Sequence, residues 1–279
     1  MKCTVVVDNS VPISTRRPFR GEHGFSLLIE VASAKILLDT GQSEIVLHNL
    51  KLLGVQPNDL DAIALSHGHY DHTGGLAFLL QHRHKPIPVY AHPDIFQNHH
   101  SVNEGKRRYI GIPHTQEELS ELGAQWNLTA APREIVPGLM FSGQIPRRTD
   151  YETGDAKLVI AAEAGCDCQD PILDDAALYY SCRDGLAVIG GCAHSGLVNT
   201  VEYGLKLTAN TQLAGWIGGT HLGPAPKPQQ AKTLCRLAEY APRLVAASHC
   251  TGFAMMAELQ RRFGERFIPG FIGQVIQVD

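Results

Sequence analysis

Ser66-His67-Gly68-His69-Tyr70-Asp71-His72 places three imidazoles and a carboxylate within six consecutive residues. It directly follows the apolar run 60–65, Leu-Asp-Ala-Ile-Ala-Leu. A short apolar run closing on glycine reads as a buried strand that empties into a loop. Neutral imidazole nitrogen and carboxylate oxygen are the natural donors to zinc and related divalent ions. On an extended loop His67 and His69 project to the same side, so both reach one cation. Asp71 and His72 fall beyond it, where they can hold a second. The plainer alternative, a solvated histidine-rich loop, does not account for four donors gathered at one strand end.

Working outward, residues 35–38 read as a strand ending at Asp39, just before Gly41. A carboxylate there can accept the second ring N–H of a metal-bound imidazole and fix its tautomer. The alternative is a turn aspartate or helix cap. Residues 4–7 and 25–31 are further strands, with 11–20 as a loop at the mouth of the site. Residues 44–53 carry a helical apolar stripe stopped by Gly54, and 76–81 read as a helix behind the histidine loop. Residues 88–91 form a short strand closing on His92. The polar stretch 94–126 reads as helical, without a strand, and as a cap over the site. It contains a capping box from Thr115 to Glu118, with Gly123 as terminator. His82, His84, His99, His100 and His114 have no strand-end placement and read as surface or loop residues. Cys166-Asp167-Cys168 lacks a second cysteine pair and reads as a reduced loop.

The second half supplies three more strand ends with histidine. Residues 186–190 run into Cys192 and His194, 212–218 into His221, and 244–247 into His249. A helix over 228–240, entered through Pro228, separates the last two. Ligands in α/β sheets bind beyond the carboxyl ends of strands. Counting the first motif, four junctions end in histidine, and four that converge make a site.

Composition narrows the class. With 279 residues and 44% apolar content the chain can bury a large core. A net charge of −4 argues against nucleic acid as partner. No run approaches a membrane span, and the amino terminus resembles no signal peptide, so a cytoplasmic location is expected. Seven cysteines, an odd number in a chain of this size, point to reduced thiols rather than a disulfide framework.

The segment 66–75, Ser-His-Gly-His-Tyr-Asp-His-Thr-Gly-Gly, resembles the first metal motif of the metallo-β-lactamase superfamily. Ile36-Leu37-Leu38-Asp39-Thr40-Gly41 resembles the strand and aspartate that precede that motif. Gly190-Gly191-Cys192-Ala193-His194-Ser195-Gly196, Gly218-Gly219-Thr220-His221-Leu222 and Ser248-His249-Cys250-Thr251-Gly252 resemble one branch of it. That branch is named for a dihydropterin–ribofuranosylaminobenzene phosphate synthase. The resemblance covers nearly the whole chain and says much less about substrate.

It implies an αββα sandwich, two mixed sheets flanked by helices, in a single domain 1–279 with the 94–126 cap. It implies two divalent cations, zinc first, with manganese or iron as alternatives. Asp71, His72 and His249 would hold one, and His67 and His69 the other. Much of the superfamily has its next ligand shortly after a Pro-Gly pair, where this chain has Leu139, so His194 is expected to replace it. Cys192 stands where the superfamily has a bridging Asp or Cys, and is either a thiolate ligand or a buried apolar cysteine. Asp71 and His221 are the candidate catalytic residues. His221 is either a ligand or a proton donor to the leaving group, the latter favoured. Arg147 and Arg148 match an Ile-Pro-Arg element of the branch and, with Arg16, Arg17 and residues 106–108, are candidates to bind an anionic substrate. Three functions follow: hydrolysis of a small anionic molecule such as a phosphoester, a pterin–arylamine synthase releasing pyrophosphate, or metal binding without turnover. A homo-oligomer is compatible with each.

Overall fold

The computed structural model describes residues 1–161 and 168–279. Its first seven-stranded sheet runs, in spatial order, Val275–Gln277, Lys2–Val7, Ser26–Val31, Ala34–Leu38, Ala62–Ala64, Ile87–Ala91 and Ala124–Leu128. The second runs Phe267–Pro269, Leu244–Ser248, Leu213–Gly219, Gly185–Gly190, Ala177–Cys182, Leu139–Phe141 and Arg133–Val136. Both are mixed. In the first, Ala34–Leu38, Ala62–Ala64, Ile87–Ala91 and Ala124–Leu128 run parallel to one another. In the second, the parallel set is Gly185–Gly190, Leu213–Gly219, Leu244–Ser248 and Phe267–Pro269.

Strand side chains alternate between faces, and that alternation sorts the core into layers. Leu27, Ile29, Ile36 and Leu38 join Phe141, Leu178, Ile189 and Ile217 between the sheets. Leu28 and Leu37 point the other way, onto Val46, Leu50, Leu76 and Leu79 of the helices Ile45–Leu53 and Leu76–Gln81. On the second sheet Leu186 and Val188 meet Leu197, Val201, Leu237 and Leu259 of the helices Leu197–Thr208, Lys227–Glu239 and Gly252–Phe263. Fully burying each such aliphatic side chain contributes about 1.5–3 kcal/mol. Helices outside, two sheets inside: this is the αββα sandwich expected. Leu139 is fully buried between the sheets, so that position offers no donor.

Several local readings hold. Gly54 ends its helix in a left-handed conformation, φ 80°. Thr115 and Glu118 form the capping box at the start of Gln116–Glu121. The 94–126 segment departs from expectation. Its helix covers only Gln116–Glu121, and it contains the strands His99–Asn103, Lys106–Tyr109 and Ala124–Leu128. The first two form a hairpin through Glu104 and Gly105, with φ 49° and 73°. Positive φ at both central residues suits the right-handed twist of a hairpin. Polar strand residues hid the alternation, because this hairpin packs little apolar surface. It joins Leu158–Ile160 and Cys168–Gln169 in a third, four-stranded sheet. The 94–126 segment therefore forms no helical cap; its β-hairpin stands at the mouth of the site. Cys166 and Asp167 lie outside the described residues, and Cys168 is exposed. Among the described residues no helix is long and apolar enough to cross a membrane.

Candidate metal centre

The parallel strands of both sheets release their loops toward one place. Ala34–Leu38 ends at Asp39, and Ala62–Ala64 leads to His67 and His69. In the other sheet, Gly185–Gly190 leads to Cys192 and His194, Leu213–Gly219 to His221, and Leu244–Ser248 to His249.

Asp39 is wholly buried and organises the first loop. Its carboxylate accepts from the Ser66 amide, the Ser66 hydroxyl and His72 Nδ1, each at 2.7 Å. His72 therefore carries its proton on Nδ1 and turns the Nε2 lone pair inward. His249 is set in the same way. Its Nδ1 lies 2.9 Å from Asn9 Oδ1, and its backbone N–H donates to Asp8 Oδ2 at 2.7 Å. The two Nε2 atoms face each other at 3.2 Å. Two lone pairs at that distance repel unless a proton or a metal ion lies between them. His67 Nε2 and His69 Nδ1 make a similar approach of 3.0 Å, and Cys192 Sγ stands 3.1 Å from His72 Nε2. With Zn–N bonds of about 2.0–2.1 Å, neighbouring nitrogens on a tetrahedral ion lie about 3.3 Å apart. The donor spacing fits a cation.

The protonation states of His67, His69, His194 and Asp71 point the same way. Burial, reinforced by neighbouring imidazoles, holds His67 and His194 well below the ordinary histidine range. Burial brings His69 down to about 4. Burial would raise the Asp71 carboxyl, but His72, His23 and His249 outweigh it and keep it ionised. Neutral imidazoles and an ionised carboxylate are the forms that bind metals. Burial also lowers His249, yet Asp71, Cys250 and Asp8 overcome it and raise it to about 9. The metal-free protein therefore keeps a proton on this ring, facing Asp71 and His72, which a cation would have to displace.

Asp71 Oδ2 lies 3.4 Å from His249 Nε2 and 3.8 Å from His72 Nε2. The His194 ring centre is 4.7 Å from His67 and 4.9 Å from His69, and its buried Nε2 has no partner. Cys192 forms donor groups with His67 and His194, with His72 and His249, and with His221 and Cys250, all ligand atoms within 4.8 Å in each group. It stands between the two halves of the site. His221 packs 4.2 Å from His194, and both its ring nitrogens are buried without partners. Asp39, Ala193, His221 and His249 all adopt positive φ, 48–62°. Such conformations in non-glycine residues cost about 1–3 kcal/mol each and cluster at functional sites. Gly191 is required by proximity, since a Cβ there would collide with Ser66 Oγ.

Two expectations need correction. Arg147 donates to the carbonyls of His194, at 2.7 Å, and Pro171, at 2.5 Å, and so holds the His194 loop in place. Arg148 lines a separate small hollow beside Asn199 and Tyr203. Neither borders the cavity over the donors. The arginine that does is Arg108, from the hairpin, 5.4 Å above the Tyr70 ring. His99, expected at the surface, is buried, with Nδ1 2.5 Å from Asp170 and its ring edge-on to His69.

Other supporting residues escaped the sequence reading. Asp8 and Asn9 follow the strand 4–7 without any motif, although an aspartate at a strand end is the signal that singles out Asp39. His23, whose Nε2 lies 3.2 Å from Asp71, precedes a strand without any motif. Asp174 and Asp175 accept the Gly68 and Ser195 amides, each at 2.7 Å. Two adjacent aspartates before a buried strand were the available clue.

The chain belongs to the metallo-β-lactamase superfamily, whose family model matches residues 20–143. Members of that superfamily bind divalent metals, and the His, Cys and Asp clusters for doing so are present here. Within it, the chain is 32% identical over 268 residues to the 7,8-dihydropterin-6-methyl-4-(β-D-ribofuranosyl)-aminobenzene-5'-phosphate synthase of Methanocaldococcus jannaschii, covering 93% of this chain and 91% of that protein. It is 33% identical to an uncharacterised protein of the same organism, covering 98% of this chain and 99% of the other. A crystal structure of a metal-dependent hydrolase of the β-lactamase superfamily superposes with a TM-score of 0.84 at 24% identity, covering 100% and 99% of the two chains. A diphosphatase structure superposes at 0.56 with 11% identity, covering 100% and 98%. Both likenesses establish the fold.

Proposed function

We propose that this protein is a metal-dependent hydrolase of a small anionic substrate, a phosphoester or related compound. His67, His69 and His194 would hold one cation, Asp71, His72 and His249 a second, with Cys192 between them. Bound there, a pair of divalent ions, zinc first with manganese or iron as alternatives, supplies a water activated at neutral pH and a Lewis acid for the oxygen under attack. The observation carrying this reading is the convergence of two donor groups on Cys192, His67 with His194 and His72 with His249, ligand atoms within 4.8 Å in each.

The rest of the work falls to the chain. Asp39 and Asn9 hold two imidazoles with Nε2 turned inward, so neither ring has to rotate when a cation arrives. The cavity over the donors, about 160 Å³, is bordered by Arg108, Ser101 and Ile110 of the hairpin region. Arg108 supplies the charge that receives the substrate anion. His221, beside His194, is the group favoured to pass a proton to the departing oxygen.

A synthase is the second reading, supported by the name of the M. jannaschii relative. A second hollow of about 330 Å³ meets the first at His194 and His221 and gives room for two reactants. Elemental analysis of protein purified without added metal, followed by a phosphoester panel, tests the first reading. Chelation should abolish hydrolysis, and zinc or manganese should restore it. Full turnover by metal-free protein refutes the proposal. Pyrophosphate release only when a pterin and an arylamine are both present establishes the synthase instead. Metal binding with no turnover on either panel leaves a non-catalytic metal protein.

A further inference from the structure

Three neighbouring parallel strands of the second sheet, Gly185–Gly190, Leu213–Gly219 and Leu244–Ser248, end side by side and lead into Cys192, His221 and Cys250. Adjacent strands lie about 4.8 Å apart, so donors on neighbouring loops fall at separations that one cation can span. The two sulfurs and a ring nitrogen of His221 do so, all within 4.8 Å of one another. Cys192 is buried, and both ring nitrogens of His221 are buried without a partner. A neutral imidazole carries one N–H and one lone pair, and burying both unsatisfied is costly. His221 is held there at φ 48°, and its backbone N–H donates to Cys250 Sγ at 3.2 Å. An N–H aimed at sulfur is the support that metal-bound thiolates receive. All three residues border the donor cavity.

We propose that Cys192, His221 and Cys250 form a further metal site, a set of two thiolates and one imidazole for zinc, with its fourth position open to the donor cavity. Cys250 and His221 belong to neither cation of the proposed pair, and all three donors come from one sheet, so the site stands apart from the hydrolase reading. Cys192 is its shared corner, since a thiolate has lone pairs for more than one cation. Two cysteines and a histidine with an open position are the donor set of catalytic rather than structural zinc. The soft sulfurs exclude manganese and magnesium, which prefer oxygen donors. His221 ligates through one ring nitrogen and keeps its proton on the other, so it still serves a departing oxygen.

Cobalt(II) is the probe, because a thiolate bound to it gives a near-ultraviolet charge-transfer band that nitrogen and oxygen donors lack. Reduced, metal-free protein would be titrated with cobalt(II), and the bound metal counted by elemental analysis. Wild type should show the band and hold one cation more than Cys250→Ser or Cys250→Ala, each of which should lose much of the band. The alanine variant guards against a serine variant that fails to fold. His221→Ala should weaken that cation by more than roughly tenfold, since losing even the outer partner of a ligand costs that much. His72→Ala, aimed at the proposed pair, should keep the Cys250-dependent band. A band and a metal count unchanged in both Cys250 variants overturn the site. A band lost in Cys192→Ser but kept in both Cys250 variants gives Cys192 to the pair alone and overturns it too. No hydrolysis by protein that shows the Cys250-dependent band removes the hydrolase reading and keeps this site.

Discussion

Replacing Asp39 by asparagine keeps the shape of the side chain and changes one atom from acceptor to donor. The wild-type carboxylate receives three donors at 2.7 Å, one on Oδ1 and two on Oδ2. If the asparagine oxygen keeps the Ser66 amide, its NH₂ faces the Ser66 hydroxyl and His72 Nδ1. The hydroxyl can turn and accept. His72 must then move its proton to Nε2, the atom facing His249 and Cys192. The flipped amide would instead set NH₂ against the Ser66 N–H, a buried mismatch of about 1–3 kcal/mol. The imidazole is thus driven into the tautomer that cannot donate a lone pair. Loss of such an orienting partner typically weakens metal binding about 10–100-fold. That corresponds to about 1.4–2.7 kcal/mol. Zinc affinity would be read by competition with a chromophoric chelator, alongside urea unfolding of the metal-free protein. Asp39→Asn should lower the affinity by that factor. An affinity within twofold of wild type, or a loss confined to stability, refutes the role assigned to Asp39.

Arg108→Ala should reduce kcat/KM for an anionic ester by roughly tenfold, the loss of one partly exposed charge-assisted contact, with a much smaller change for a neutral ester of the same leaving group; equal losses would deny it the anion-binding role. Glu152 accepts the Val198 and Asn199 amides at the start of the helix Leu197–Thr208, each at 3.0 Å. Glu152→Gln turns a donor toward one of them and should cost about 1–3 kcal/mol in chemical denaturation. Burial raises the Glu152 carboxyl above its ordinary value. The folded state therefore holds that proton more tightly, so this contribution is full below the unfolded pKa and is lost as pH rises through the folded one. The stability gap between wild type and Glu152→Gln should shrink with rising pH across that window, and a widening gap would contradict the assignment.

Much of this protein was legible in one dimension. Strand and helix periods are local, so the runs ending at Asp39, His67, Cys192 and His249 declared themselves as strand ends, and Leu139 could be set aside as a donor. The charged hairpin His99–Tyr109 was misread because its strands pack little apolar surface and so show no alternation. The roles of Arg147 and Arg108 could not be told apart, since both are arginines in polar surroundings. One of them spends its donors on the His194 and Pro171 carbonyls, and the other stands over the cavity. Which histidine nitrogen turns inward depends on Asp39 and Asn9, which lie 33 and 240 residues from the rings they orient. Donor chemistry belongs to residue types and is written in the sequence. Donor geometry belongs to distances between strands of two different sheets, and only the packing of those sheets decides it.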